Sequence, residues 1–382
     1  MKHPLLIAPD IKANNFDVLR FLLAVAVIYS HCYVIYYGKA VDTEPFMRFS
    51  NNQVDLGSVA VDGFFVISGF LIVRSFQFSA SLIDYLQKRV LRIYPGFLVA
   101  FTLSMLLLAP LGTIDSAHPQ GNFGAYFQNF REKLFVLNLL TLQTQQAPWA
   151  FQGNPLPNMA NESLWTIQYE FVCYLLVPVL AALGLFKRRW LLLVLFVLAY
   201  TLLALQDFAQ ILLWEGYQGK VLSHPLYLPK FFTYFLAGAC FYVYRTQLPR
   251  NTGLLLFSAA ALVLSCVMLP AFNLVAPLAG SYLLFYLAYF PGIRFPHFTR
   301  KGDFSYGLYL YAWPLQQLVM AVGGERLSPG LLFAFSMVFT FMAAYASWHL
   351  VEKPFLRLKQ YPSSLAVNSL LRLTAVFAKK QR

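Results

Sequence analysis

The chain has 382 residues, of which 59% are hydrophobic and 12% are charged. Soluble domains average roughly 25% charged residues, so this composition excludes a soluble globular fold. The net charge of +13 does not indicate nucleic-acid binding, because the basic residues form short clusters between apolar runs. The four cysteines lie inside apolar runs and lack the spacing of a zinc site or a disulfide framework.

Apolar runs of about 20 residues, the length that crosses a bilayer, recur from one end of the chain to the other. They predict an all-α, polytopic integral membrane protein with about ten transmembrane helices. The first run is too long for a signal-peptide core, so we expect it to remain as the first helix. The predicted spans are 16–37, 58–78, 94–114, 164–186, 190–207, 228–246, 253–271, 273–290, 304–322 and 331–351.

The distribution of Lys and Arg predicts the orientation. With the N-terminus in the cytoplasm, 22 of the 29 basic residues fall on the inner side and 7 on the outer side. Cytoplasmic loops carry the excess of basic residues, so both termini are expected to be cytoplasmic. Residues 1–362 then form one transmembrane domain, and 363–382 form a basic amphipathic tail on the inner surface. The outer loop 115–163 either covers the membrane and meets a polar substrate or is a disordered connection.

Ionisable residues inside a membrane cost about 2.5–3.5 kcal/mol each, which makes them functional candidates. Arg20 and His31 of the first span are eleven residues apart. On a helix this spacing places both on one face, about 16 Å apart along the axis. Taken singly, Arg20 is explained by anchoring at the membrane surface and His31 by an interhelical hydrogen bond. Together they indicate a site with two ends.

Two acidic residues, Asp62 and Glu170, fall at about the same predicted depth as His31. A carboxylate beside an imidazole fixes its tautomer and favours proton uptake, as a general base requires. We therefore take His31, Glu170 and Asp62 as candidate catalytic residues. The alternatives are that Asp62 caps the outer end of its helix and that Glu170 is structural.

Arg89 and Arg92 lie in the predicted inner loop that precedes the third span. Their spacing of three gives them one helical face, where two guanidinium groups can clamp a phosphate. The alternative is an ordinary cytoplasmic basic cluster. Ser68 is a possible nucleophile, but it lacks the nucleophile-elbow sequence, and a small packing residue is the better interpretation.

Several motifs in chain order resemble the acyltransferase-3 family. They are Arg20-x10-His31, Val61-Asp-Gly-Phe-Phe-Val-Ile-Ser-Gly-Phe-Leu-Ile72, Arg89-x-x-Arg92-Ile-Tyr-Pro95, Ser163-Leu-Trp-Thr-Ile-Gln-Tyr-Glu170-Phe, Phe304-Ser-Tyr-Gly-Leu-Tyr-Leu-Tyr and Glu352-Lys-Pro354. The resemblance implies a ten-helix protein of the bacterial inner membrane that acylates carbohydrates, usually with acetyl from acetyl-CoA. It also implies that Arg20 and His31 are essential and that Arg89 and Arg92 serve the acyl-CoA donor.

The expected donor-binding residues are therefore Arg20, Arg89 and Arg92, and Trp165 is assigned to the acceptor side. The expected partners are acyl-CoA as a substrate, a carbohydrate acceptor and the lipid bilayer, with no bound cofactor, metal or nucleic acid. One departure concerns Ala312, where many relatives carry a histidine, and it weakens any mechanism that needs a second histidine there. A transporter or flippase of lipid-linked sugars is the competing class, followed by a polytopic glycosyltransferase.

Overall fold

A computed structural model describes residues 14–38, 41–114, 122–209, 222–290, 292, 294–295, 298–300 and 302–360. The predicted amphipathic tail, 363–382, lies outside the described residues. Among the residues described, the chain is helical without β-strands, as the sequence predicts, and a single isolated bridge joins Gln146 to Met159.

The helices differ in length from one to more than seven turns. They are α1 (Phe16–Tyr37), α2 (Pro45–Phe49), α3 (Leu56–Gln77), α4 (Leu82–Leu111), α5 (Phe123–Gln128), α6 (Glu132–Thr141), α7 (Trp165–Ala182), α8 (Arg189–Phe208), α9 (Leu228–Val243), α10 (Thr252–Val267), α11 (Phe272–Ala288), α12 (Ser305–Gly323) and α13 (Pro329–Arg357). Single π-helical turns interrupt α4, α11 and α13.

Seven of the described helices are long and apolar enough to cross a membrane: α1, α3, α4, α7, α8, α9 and α13. This confirms a polytopic membrane protein. Two more apolar helices, α10 and α11, are shorter. Each predicted span coincides with a helix, but the total of about ten membrane crossings stays a prediction.

The start of α4 differs from the sequence-based expectation. The predicted span begins at residue 94, whereas the helix begins at Leu82, so the placement of Arg89 and Arg92 in a loop was wrong. The Ser81 hydroxyl caps the helix by accepting from the Asp84 amide at 3.1 Å. Hydropathy marks only the apolar part of a helix, and these first turns are polar. Both arginines therefore lie on a rigid helix.

Close packing of α3 against α9 fixes the centre of the molecule. A Cβ on Gly69 would lie 1.9 Å from the Phe235 carbonyl oxygen, and one on Gly238 would lie 1.9 Å from that of Val66. The two glycines therefore let the helix backbones touch, as small residues do in membrane proteins. α1 packs against both α3 and α12, which brings the predicted site residues of α1 between these helices.

Replacing Gly69 by Ala should destabilise the protein by about 3 kcal/mol, because a backbone carbonyl cannot move aside as a flexible side chain does. Thermal unfolding in detergent measures the effect. Gly280→Ala is the matched control, since its Cβ would meet only the Ala276 methyl group at 3.8 Å. Equal melting temperatures for the two variants would contradict the packing argument.

Candidate functional site

Three arginines line a narrow cavity of about 140 Å³ that is enclosed by α1, α3, α4, α7 and α12. They are Arg20, Arg89 and Arg92, the three predicted donor-binding residues. Glu170 and Ser68 also line it. We call this space the arginine-side cavity. The structure thus brings together arginines from two helices that are separated by about 70 residues of chain.

An acidic residue that the sequence analysis did not single out, Asp303, joins two of these arginines. Its carboxylate lies 3.3 Å from Arg20 Nη2 and 2.8 Å from Arg92 Nη2, and it accepts from the Ser305 hydroxyl at 2.5 Å. Arg20 is also paired with Asp17. Burial raises the pKa of the Asp303 carboxyl, but the charges of Arg20 and Arg92 outweigh burial and hold that pKa well below its usual range.

Arg89 lies in a different environment. Its Nη2 donates to the Ser75 hydroxyl at 3.1 Å, and its guanidinium carbon lies 5.8 Å and 5.7 Å from the ring centres of Tyr85 and Tyr174. Its Nε is buried without a hydrogen-bond partner. Among the residues that the structure describes, no carboxylate forms an ion pair with it. Taking a cation out of water without a counter-ion costs free energy, so this partly buried guanidinium attracts an incoming anion.

Glu170 belongs to the arginine-side cavity. The Ser68 hydroxyl donates to its Oε1 at 2.7 Å, and the Tyr174 hydroxyl donates to the same oxygen. The sequence-based pairing of Glu170 with His31 is therefore wrong. Helix rise predicts how deep a residue lies, but the matching depth of two residues does not show which helix face each occupies. Here α7 turns Glu170 toward Ser68 of α3.

The second cavity, of about 1010 Å³, is lined by His31, Asp55, Trp165 and Trp313. We call it the histidine-side cavity. Parts of the long segment 129–162 also line it, so this part of the predicted loop covers the helices. The imidazole of His31 meets the Trp313 ring edge-to-face with centroids 4.9 Å apart, and its Nδ1 is buried without a hydrogen-bond partner.

The acidic residue whose charge acts on His31 is Asp55. Asp55 caps α3, accepting from the Ser58 amide at 2.7 Å and the Ser58 hydroxyl at 2.6 Å. It therefore sits at the same end of the molecule as the imidazole. A carboxylate just before an apolar helix resembles any N-cap, so nothing in the sequence marks Asp55 as a functional residue.

Asp62, the other predicted partner of His31, faces away from it. Its carboxylate lies 3.2 Å from Lys230 Nζ and lines a separate apolar cavity together with Tyr234. The predicted contact between Asp62 and the imidazole is therefore wrong, for the same reason as with Glu170. Lys230 itself lines the histidine-side cavity, so Asp62 contributes to that cavity indirectly, by its ion pair with the Lys230 side chain.

The two cavities share part of their lining. Val61 of α3 and Tyr309 of α12 line both. The Tyr309 hydroxyl shares a hydrogen bond of 2.5 Å with Thr166 of α7. Trp313, which packs on His31, follows Tyr309 by four residues and so lies on the same face of α12. A thin wall at Val61 and Tyr309 therefore separates the arginines from the histidine.

Ala312 lies in neither cavity. It is buried in an apolar cluster with Ala24 and Ile28 of α1. Ala312 is thus a packing residue in this chain, and the histidine that α1 contributes to the site is His31.

Comparisons with known proteins match most of the chain. A family model described as an acyltransferase domain, that of the acyltransferase-3 family, matches residues 14–349. An O-acetyl transferase of Shigella phage Sf6 is 27% identical over 365 residues, which cover 90% of this chain and 96% of that protein. Nodulation protein 10 of Rhizobium leguminosarum bv. viciae is 26% identical over 367 residues, covering 91% and 94% respectively. No solved structure matches.

Asp303→Asn should destabilise the protein by about 3 kcal/mol near neutral pH, because it removes the anion between Arg20 and Arg92. Arg92 then loses its counter-ion, whereas Arg20 keeps its pair with Asp17. A carboxyl with a lowered pKa contributes stability above its unfolded pKa of about 3.9 and loses it as the pH falls toward the folded value. The gap in melting temperature between wild type and variant should therefore be constant from pH 8 to 5 and narrow below about pH 4.

The control is Asp84→Asn, which breaks the i,i+4 pair with Lys88 at the start of α4, while the asparagine oxygen can still accept from the Ala80 amide. Such pairs contribute about 0.5 kcal/mol. If Asp303→Asn melts at the same temperature as Asp84→Asn, the arginine cluster does not depend on Asp303.

Proposed function

The chain belongs to the acyltransferase-3 family, and from this premise we propose that it transfers an acyl group from acyl-CoA to a hydroxyl group of a carbohydrate. The observation that carries the proposal is the pair of cavities at opposite ends of α1. One is lined by three arginines and the other by His31 and His224, and they meet at Val61 and Tyr309. Such an arrangement suits a reaction between two substrates that approach from opposite sides of a membrane.

The proposed donor is acyl-CoA, with acetyl as the acyl group. Arginine binds phosphate through paired hydrogen bonds, and Arg89 lacks a carboxylate partner within the described part of the chain. The arginine-side cavity holds only about 140 Å³, whereas sites for compact ligands span about 300–1,000 Å³. An extended, chain-like arm such as the pantetheine part of CoA suits this narrow space better than a compact ligand does, with the CoA phosphates near Arg89 and Arg92.

The proposed acceptor is a carbohydrate in the histidine-side cavity. Its volume of about 1010 Å³ reaches the upper end of ligand sites. Trp165 lies against Tyr227 at 4.9 Å between ring centroids, and both line the cavity. Gln145, also in the lining, has a buried Oε1 without a hydrogen-bond partner. Aromatic faces beside amide groups suit the apolar faces and hydroxyl groups of a sugar.

In the proposed reaction His31 is the general base. It removes the proton from the acceptor hydroxyl, whose oxygen then bonds to the acyl carbon of the thioester. The carbon–sulfur bond breaks, and the proton passes from His31 to the leaving thiolate. The products are a sugar ester and free CoA. Tyr309 donates a hydrogen bond to the carbonyl oxygen as negative charge develops there.

The supporting carboxylates have positioning roles in this proposal. Asp55 stabilises the protonated imidazole by its charge, Asp62 holds Lys230 at the cavity, and Glu170 orders Ser68 and Tyr174 beside the donor. The surplus of basic residues on the arginine side supports a cytoplasmic location for that end. We therefore propose a location in the bacterial inner membrane with both termini in the cytoplasm.

His31→Gln should abolish acyl transfer while acetyl-CoA binding persists, since glutamine forms hydrogen bonds but cannot take up a proton. Loss of general-base help corresponds to roughly 10²–10⁴ in rate. The assay follows radiolabelled acetyl from acetyl-CoA into isolated surface glycans with the purified protein. His349→Gln is the control, because His349 packs on Tyr345 of the same helix and lines neither cavity. A His31→Gln protein of near wild-type rate would remove the base from the mechanism.

Tyr309→Phe should lower kcat about 10²-fold, the usual loss on removing one oxyanion donor. Donor affinity should change little, because the phosphates are held elsewhere. Thr166→Val removes the hydrogen-bond partner of Tyr309 but leaves its hydroxyl group, so we expect a smaller loss. If Tyr309→Phe raises KM for the donor without lowering kcat, Tyr309 binds the donor and does not act on the carbonyl.

A further inference from the structure

Four basic side chains lie in or beside the arginine-side cavity. Lys88, Arg89 and Arg92 lie on α4, and Lys359 lies in the short 3₁₀ turn Leu358–Gln360 that follows α13. The Gln87 side chain ties this turn to α4 by donating to the Leu358 carbonyl at 3.3 Å. Lys359 thereby comes within electrostatic range of all three basic residues of α4.

The acidic residues nearby neutralise only part of this charge. Asp84 pairs with Lys88 at 2.7 Å and Asp303 pairs with Arg92 at 2.8 Å. Neither Arg89 nor Lys359 has an ion-paired carboxylate in the part of the chain that the structure describes. Burial, followed by the charges of Arg92, Arg89 and Lys88, lowers the pKa of Lys359 to about 7. A bound anion would offset the repulsion between the Lys359 ammonium group and these three cations.

The positions of these groups follow the order of charges along coenzyme A. Arg89 and Arg92 line the cavity itself, whereas Lys359 does not. With the thioester at Tyr309 and the pantetheine arm in the cavity, the diphosphate reaches the two arginines. The nucleotide with its separate 3′-phosphate then extends beyond them, toward the turn that carries Lys359.

We propose that Lys359 forms a second phosphate subsite that binds the 3′-phosphate of the acyl-CoA donor. This inference rests on the proposed function and deepens it, because it makes the enzyme distinguish CoA from its 3′-dephospho form. A phospholipid headgroup offers the same phosphate chemistry from another source, and the experiment separates the two.

The test is isothermal titration of the full chain in detergent with acetyl-CoA and with acetyl-3′-dephospho-CoA. Wild type should bind acetyl-CoA about tenfold more tightly, the usual effect of one charge-assisted hydrogen bond. Lys359→Ala should bind both donors with the affinity that wild type has for the dephospho donor. Retention of that affinity also shows that the variant is folded. Lys359→Arg should keep most of the preference.

Arg357→Ala is the matched control, since it removes an equal charge from an exposed residue two positions away. It should leave the tenfold preference intact. Equal binding of both donors by wild type would overturn the subsite and leave acyl-CoA as the donor, whereas binding of neither would overturn the proposed function as well. If Lys359→Ala instead loses bound phosphatidylglycerol and keeps the donor preference, Lys359 binds lipid and the inference is wrong.

Discussion

The shared ion pair of Asp303 with Arg20 and Arg92 is the interaction on which the site depends. Asp303 lies two residues before Ser305, the first residue of α12, whose hydroxyl donates to the same carboxylate. The ion pair therefore joins α1 and α4 to the start of α12. Arg20 of α1 and Arg92 of α4 are partly buried, and two such cations repel each other unless an anion lies between them. Asp303 supplies that anion and at the same time fixes where α12 begins. Tyr309 and Trp313, one and two turns along α12, owe their positions in the two cavities to this start.

Asp303 also divides the arginines by role. Arg20 and Arg92 have a carboxylate of the protein as counter-ion, so part of their positive charge is already neutralised by an interaction that stabilises the fold. Arg89 is held by Ser75 and two tyrosine rings, contacts that orient a guanidinium without neutralising it. An incoming phosphate therefore gains most from Arg89, while the paired arginines shape the cavity around it. The three arginines of one cavity thus differ in how much uncompensated positive charge each offers to a bound phosphate.

Much of this was predictable from the sequence, and each wrong or missing prediction has a physical cause. Helical periodicity placed Arg20 and His31 on one stripe of α1, and both do line cavities along that helix. Apolar run length located the helices but missed the polar first turns of α4. Depth alone assigned Asp62 and Glu170 to His31, although each faces another helix. Asp55 and Asp303 lie just outside helices, where no periodicity distinguishes a functional carboxylate from a cap.

Two cavities that share a thin wall avoid the free-energy cost of moving either large polar substrate of the proposed reaction through the bilayer. Acyl-CoA carries several negative charges, and a charged group in the bilayer interior costs several kcal/mol. A carbohydrate carries many hydroxyl groups, each of which loses hydrogen bonds to water in an apolar medium. With each substrate confined to its own cavity, only the acyl group, small and uncharged when it is acetyl, needs to pass Val61 and Tyr309. In the proposed mechanism neither large substrate has to cross the membrane, and the barrier to transfer lies in the chemistry at this wall, where we propose that Tyr309 and His31 act.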